Sequence, residues 1–312
     1  MATSLPPDPA APDAVRAAGP EDDLLDPGFL ETLERLSLVS RRRLRGGQRG
    51  ERRSLLRGRG IEFADHRAYE PGDDYRYIDW NIASRLDRLF VKLFSEEEDL
   101  NVTILVDVSA SMAAGTPSKL GLAKHLAAAI GYIGLVNLDR VGVTAFTSAP
   151  GPRLSRLRGR ARAADLLRFL GGLRPSGETD LGRSLRRLLT DAKRRGLLVL
   201  LSDLLDPRGY AEGLRLAHHH RFQTFLIHIL AEEELAPQLG GDLRLIDVET
   251  RRAVEVTVDA EALRSYAAAR DAFFREIERF CFRYGIDYLR TVSSTAPDTL
   301  VLQYLRQAGL LR

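Results

Sequence analysis

A chain of 312 residues that is 44% hydrophobic and 29% charged is long enough for one large domain or two smaller ones around a sizeable core. Its 46 Lys and Arg against 43 Asp and Glu leave a formal net charge of +3, too small to imply a nucleic-acid or membrane partner. One cysteine, Cys281, excludes an internal disulfide, and Met1 to Pro20 lacks the basic start and apolar core of a signal peptide, so the expected setting is a reducing one, the cytoplasm.

Residues 1–27 are rich in Pro, Ala and Asp without periodicity and read as a disordered tail. Phe29 to Val39 carries apolar residues at helical spacing. An arginine-dense, glycine-broken stretch follows, Arg41 to Arg59, so 28–60 reads as a short helix and a basic loop. Residues 61–100 read as a β-rich unit. Pro71-Gly72 fits positions i+1 and i+2 of a type II turn, Tyr75 to Trp80 alternates as a strand would, and Leu89 to Phe94 is a second strand, followed by an acidic cluster, Glu96 to Asp99. Trp80 is expected in the core of this unit, with Arg76, Asp79 and Arg85 in a shielded polar network.

From residue 101 onward strands alternate with helices. Strands are expected over 101–107, 140–146, 196–202, 223–230 and 286–292. Helices are expected over 118–137, 161–173, 181–194, 210–220, 261–284 and 299–308. Period-2 alternation over Leu243 to Val258 predicts a hairpin inserted into that pattern. The fold class is therefore α/β: a doubly wound, mainly parallel, Rossmann-like sheet with helices on both faces over 101–312, plus the small β-rich N-terminal segment. Leu126 to Val136 is apolar but too short to span a membrane.

In such a sheet, functional groups gather at the carboxyl ends of the strands near the switch in strand order. Three oxygen-bearing loops reach that edge. Asp107-x-Ser109-x-Ser111 follows the first buried strand, Gly177-Glu178-Thr179-Asp180 precedes a helix, and Asp203 follows the apolar run Leu197 to Leu201. Together Asp107, Ser109, Ser111, Thr179 and Asp203 offer five hard oxygen ligands, a set that suits Mg²⁺, with Mn²⁺ or Ca²⁺ as alternatives. Taken singly, the serines also fit turn and N-cap roles, Thr179 a helix cap, and Asp203 an ordinary loop acid. Asp180 fits a first-turn acid, Glu178 a solvated one, and Cys281 a buried small hydrophobe. His218-His219-His220 points in three directions on a helix and makes a poor metal tract.

The Asp-x-Ser-x-Ser, Thr, Asp pattern resembles the metal-ion-dependent adhesion site of von Willebrand factor A domains. That resemblance implies direct ligation by Ser109 and Ser111, ligation by Thr179 directly or through water, and water-mediated roles for Asp107 and Asp203. A second set is similar to the bacterial family called domain of unknown function 58, in which a β-rich lead-in precedes an A-type domain. It comprises Tyr69-Glu70-Pro71-Gly72-Asp73-Asp74-Tyr75-Arg76-Tyr77-Ile78-Asp79-Trp80, Ala83-Ser84-Arg85, Val91-Lys92-x-Phe94 and Glu97, over roughly residues 40 to 230. Ser84-Arg85 stands where that family often has Ala-Arg. The resemblance implies a non-enzymatic binding module that docks an Asp or Glu of a protein partner on the cation, with a MoxR-type AAA+ ATPase as the implied partner.

Two rivals differ in class. A phosphatase of the haloacid dehalogenase type needs Asp-x-Asp, and Ser109 stands where its general acid–base would be. No Walker-A glycine loop occurs. A nucleic-acid adaptor would use Arg41 to Arg59, but no aromatic residue lies between Arg41 and Ile61 to stack on bases.

Overall fold

The computed structural model describes residues 24–38, 61–86, 88–96, 100–191 and 196–311. The Arg-rich stretch 41–59, residues 1–23 of the expected tail and Glu97 to Asp99 lie outside the described residues.

Helix α1 spans Pro27–Leu33, and Asp26 caps it by accepting the Gly28 and Phe29 N–H groups. Strands β1 (Ile61–Ala68) and β2 (Phe90–Glu96) pair antiparallel. The Pro71-Gly72 turn between them has the expected form: the Asp73 N–H donates to the Glu70 carbonyl, and Gly72 takes a φ of 110° that a side chain would resist.

Tyr75 to Trp80 does not form the expected strand. Tyr75–Tyr77 is a 3₁₀ turn and Trp80–Leu86 is helix α2. Asp79 decides this locally, because its carboxylate accepts the Asn81 and Ile82 N–H groups and starts the helix. Trp80 lies outside the core at 65% exposure. The expected three-residue network is replaced by separate contacts. Arg76 bonds Asp74, Asp79 meets His66, and Arg85 is exposed.

Next in the chain come β3 (Asn101–Asp107), α3 (Lys119–Val136), β4 (Arg140–Phe146), β5 (Arg153–Leu157), α4 (Ala163–Gly171) and α5 (Leu181–Asp191). Then follow β6 (Leu197–Ser202), α6 (Ala211–His219), β7 (Gln223–Leu230) and the short α7 (Glu232–Leu235). Strands β8 (Gly241–Ile246) and β9 (Ala253–Val258) form an antiparallel hairpin where the alternation predicted one. After α8 (Ala260–Tyr284) and β10 (Asp287–Val292), the chain closes with Pro297–Thr299 and a π-helical turn, Leu300–Leu305.

Six strands form one sheet in the order β10-β7-β6-β3-β4-β5. Neighbours run parallel except β5, an antiparallel edge strand that the sequence pattern did not reveal. Its sequence, Arg-Leu-Ser-Arg-Leu, is too polar and short to stand out.

The strands explain both cores. Val102, Ile104, Val106, Leu197, Val199 and Leu201 point into one apolar cluster with α1, α3 and the closing turn. Leu105, Leu198, Leu200 and Leu226 point into the other with α5, α6 and α8. This alternation covers the sheet on both faces, and each such side chain taken fully out of water contributes roughly 1.5–3 kcal/mol. Helix α3 is, among the described residues, the one helix long and apolar enough to cross a membrane; 78% of it is buried within the fold.

Strand order reverses at β3. The chain goes from β3 to β4 and β5 on one side, then returns to lay β6 against the other side of β3. The crevice of a doubly wound sheet therefore opens above the carboxyl ends of β3 and β6.

Cys281 is 1% exposed on α8, and burial pushes its thiol up to about 12. The native protein should therefore leave this thiol unmodified by Ellman's reagent at pH 8 and release one equivalent only on unfolding in guanidinium. Fast labelling of native protein would contradict the packing described.

Candidate metal centre

Asp107 ends β3, and Asp203 is the first residue after β6. The pairing of Val106 with Leu201 sets Asp107 beside Ser202, whose hydroxyl donates to Asp107 Oδ2 at 2.6 Å. Asp107 Oδ1 accepts the Ser109 N–H at 3.0 Å, which bends the chain into a turn immediately after the strand. Ser109 then stands at the N-cap of the 3₁₀ turn Ala110–Ala113, yet its side chain makes no capping bond. Its Oγ lies 3.0 Å from Ser111 Oγ instead, and both serines are buried.

The loop bearing Thr179 is fastened to this turn by its backbone. The Ser176 N–H donates to the Val108 carbonyl at 2.7 Å, and the Ala110 N–H to the Gly177 carbonyl at 2.9 Å. Gly177 has a φ of 73°, which a glycine takes without strain as its carbonyl turns toward Ala110. The Ser148 N–H donates to the Glu178 carbonyl and holds the same loop to the end of β4. Thr179 is 1% exposed, although Gly177 and Glu178 before it are exposed. It does not cap α5. That task falls to Asp180, which accepts the Arg183 N–H and also binds Arg208. Thr179 instead presents its N–H and hydroxyl to the two carboxylate oxygens of Glu249, each at 3.0 Å.

Asp203 is fully buried with both oxygens engaged. Oδ2 accepts from Lys119 Nζ at 2.7 Å, and Oδ1 from the Leu205 N–H at 3.1 Å. Lys119 is itself buried and also meets Glu234, which the Ala231 N–H holds in place. Burial disfavours the ammonium, but the Asp203 and Glu234 charges outweigh it, and the pKa of Lys119 ends above its ordinary value. His228 on β7 fixes the Asp203 backbone. Burial lowers its pKa to about 4, so the ring is neutral near pH 7. A carbonyl can only accept, so Nε2 carries the proton to the Asp203 oxygen, and Nδ1 accepts from the Tyr288 hydroxyl.

Asp107 is placed differently. Its hydrogen-bond donors are a hydroxyl and an amide, both neutral. Burial, then the neighbouring Asp203 charge, pushes its carboxyl up to about 7. A buried acid that resists ionising beside two hydroxyls turned to each other is a donor set a hard divalent cation fits. Ser109, Ser111 and Asp107 could hold such an ion, and Asp203, with both oxygens already bonded, fits as an acceptor from a bound water. Among the described residues, no three His, Cys, Asp or Glu side chains gather as a metal cluster, so any site here depends on hydroxyls.

Several residues escaped sequence reasoning. Lys119 left a signal: a lysine in the first turn of an apolar helix works against the helix dipole and needs an anionic partner. Glu234 and Ser202 left none. Glu249, in the turn of the β8–β9 hairpin, left none either.

The two buried acids respond differently to perturbation. In EDTA, the unfolded chain should release the Asp107 proton near the ordinary value of 3.8 and the native state only near 7. Stability should therefore fall as pH rises across that interval, by at most ~4 kcal/mol, and Asp107→Asn should flatten the slope in urea titrations. Lys119→Met strands the buried Asp203 charge and should cost about 3–5 kcal/mol in the same assay; a loss below ~1 kcal/mol would show that the triad does not hold this edge.

A family model described as protein of unknown function DUF58 matches residues 65–275, more than half of the chain. The uncharacterized protein Rv1480 of Mycobacterium tuberculosis is 29% identical over 262 residues, covering 82% of each chain; the uncharacterized protein Mb1516 of Mycobacterium bovis matches to the same extent. Among solved structures, the conserved hypothetical protein BatB from Bacteroides thetaiotaomicron is similar over 67% of this chain and 98% of its own, at 16% identity and a TM-score of 0.42. The pilus adhesin SpaC from Lactobacillus rhamnosus GG is similar over 70% of this chain and 32% of its own, at 9% identity and a TM-score of 0.44. With its lead-in, its sheet and its matched span in hand, the chain belongs to the DUF58 family.

Proposed function

We propose that this protein is a non-enzymatic, metal-dependent binding module whose sheet is a von Willebrand factor A-like domain with an adhesion site at its carboxyl edge. The observation that carries the reading is the hydroxyl pair of Ser109 and Ser111 beside a buried Asp107 with no cationic partner among its hydrogen-bond donors, at the switch in strand order. A bound Mg²⁺ would supply an electrophilic position for a carboxylate oxygen from another protein. Ser109 and Ser111 would hold the ion as neutral ligands, and Asp107 would balance its charge. Neutral ligands leave the ion's positive charge incompletely offset, which favours capture of an external Asp or Glu. Lys119 holds the Asp203 carboxylate and His228 its backbone carbonyl, leaving Asp203 placed to accept from a bound water.

Bond breaking is not part of this reading. Ser109 has no useful acidity near pH 7, and His228 is locked between Tyr288 and the Asp203 carbonyl. A MoxR-type AAA+ ATPase that presents an acidic residue is the partner the family resemblance implies, and the lone cysteine favours the cytoplasm as the setting.

Calorimetric titration of the purified chain with MgCl₂ should show one site. Ser109→Ala combined with Ser111→Ala should weaken it at least about tenfold, or ~1.4 kcal/mol, while leaving the melting temperature in EDTA nearly unchanged. Capture of a purified MoxR-type ATPase should be lost in EDTA and in the double variant. Equal heats from wild type and double variant would remove the metal site.

A further inference from the structure

The hairpin β8–β9 is the part of the fold with the least visible reason to exist. Its strands and turn are largely exposed, with Leu245, Ile246, Val248 and Val254 between 45% and 64% accessible. It adds nothing to the six-stranded sheet, forming a separate two-stranded one. Its tip is nevertheless closely shaped. Asp247 accepts the Glu249 and Thr250 N–H groups, the Asp247 N–H returns to the Arg252 carbonyl, and Arg251 takes a left-handed φ of 59°. This turn delivers one side chain, Glu249, to Thr179, seventy residues away in sequence. Both carboxylate oxygens are used, one by the Thr179 N–H and one by its hydroxyl. A threonine hydroxyl that donates its proton keeps two lone pairs for a cation.

We propose that Glu249 is a tethered acidic ligand: the hairpin tip occupies the carboxylate position of the candidate metal centre and must be displaced before an external Asp or Glu can dock. This rests on the adhesion-site reading given above and adds its regulation. Three observations favour a displaceable carboxylate over a permanent ligand. Glu249 is half-buried, whereas Asp107, Ser109 and Thr179 are buried. The strands that carry it have exposed faces, so little apolar burial opposes their moving away. The docked contact is polar and made to a loop that other elements already hold in place. An internal carboxylate lowers the apparent affinity of an external one by the fraction of molecules in which the tip is docked; two charge-assisted bonds at a half-exposed site correspond to a factor of about ten or more.

The test uses the full chain, MgCl₂, and a cyclised, fluorescent copy of the tip, Asp-Val-Glu-Thr-Arg-Arg, spanning residues 247–252. Glu249→Ala should bind this peptide at least about tenfold more tightly than wild type in Mg²⁺, with binding lost in EDTA and lost when the peptide Glu is replaced by Gln. Trypsin should cleave after Arg251 or Arg252 several-fold faster in Glu249→Ala than in wild type. Equal peptide affinity in the two proteins, or no peptide binding by either while both bind Mg²⁺, overturns the proposal and leaves the metal centre standing. Loss of Mg²⁺ binding in Glu249→Ala alone makes Glu249 a resident ligand and also overturns it. Unchanged tryptic cleavage shows that Glu249 does not hold the tip, which overturns it as well. Failure of wild type to bind Mg²⁺ removes the adhesion-site reading itself, and the tethered ligand with it.

Discussion

Two buried carboxylates, Asp107 at the end of β3 and Asp203 just past the end of the neighbouring parallel strand β6, repel each other, and the upper edge of the sheet is organised around that repulsion. In a medium that screens poorly, two such charges cannot both persist without compensation. Asp203 is compensated by Lys119, brought in from the start of α3. Asp107 receives neutral donors and leans toward its protonated form. The asymmetry divides the labour: one acid is ion-paired into the scaffold, and the other is held by neutral donors alone.

The scaffold side of this division is expensive in isolation and secure in context. Lys119, Asp203 and Glu234 form a charged triad reaching into the interior, with His228 and Tyr288 extending it as a neutral chain of hydrogen bonds. A network of this kind specifies one arrangement of α3, β6, β7 and α7, because any slip leaves a charge unpaired. The loop side is held by peptide groups rather than by side chains. The bonds from Ser176 to Val108 and from Ala110 to Gly177 join two loops that are distant in sequence, independent of the residues they display.

The sheet was readable because both its faces are covered. Leu197 to Leu201 has no polar interruption, and such a run in this length range has few other homes. Asp107, Ser109, Ser111 and Asp203 were readable at strand ends, since strand–helix alternation dictates which edge those ends share, and Thr179 as a loop residue ahead of a helix. The lead-in was misread where capping competed with alternation: Tyr75 to Trp80 has a strand's pattern, but Asp79 satisfies two amide groups at once and turns the chain into a helix. Lys119 and Glu249 stayed hidden for a different reason. Their partners, Asp203 and Thr179, lie 84 and 70 residues away, and no local pattern encodes a single long-range ion pair or hydrogen bond.

Helix α3 also bears on how the chain is made. Its apolar surface is covered partly by strands of the sheet, β6 and β7 among them, and partly by Pro297–Thr299, late in the chain. On the ribosome, the helix emerges long before these covers exist. For the time needed to translate the intervening segments, a stretch resembling a bilayer-spanning segment stands bare to water. Such a nascent chain is a natural client for chaperones that shield greasy helices, and slow elongation past β10 would lengthen that vulnerable interval.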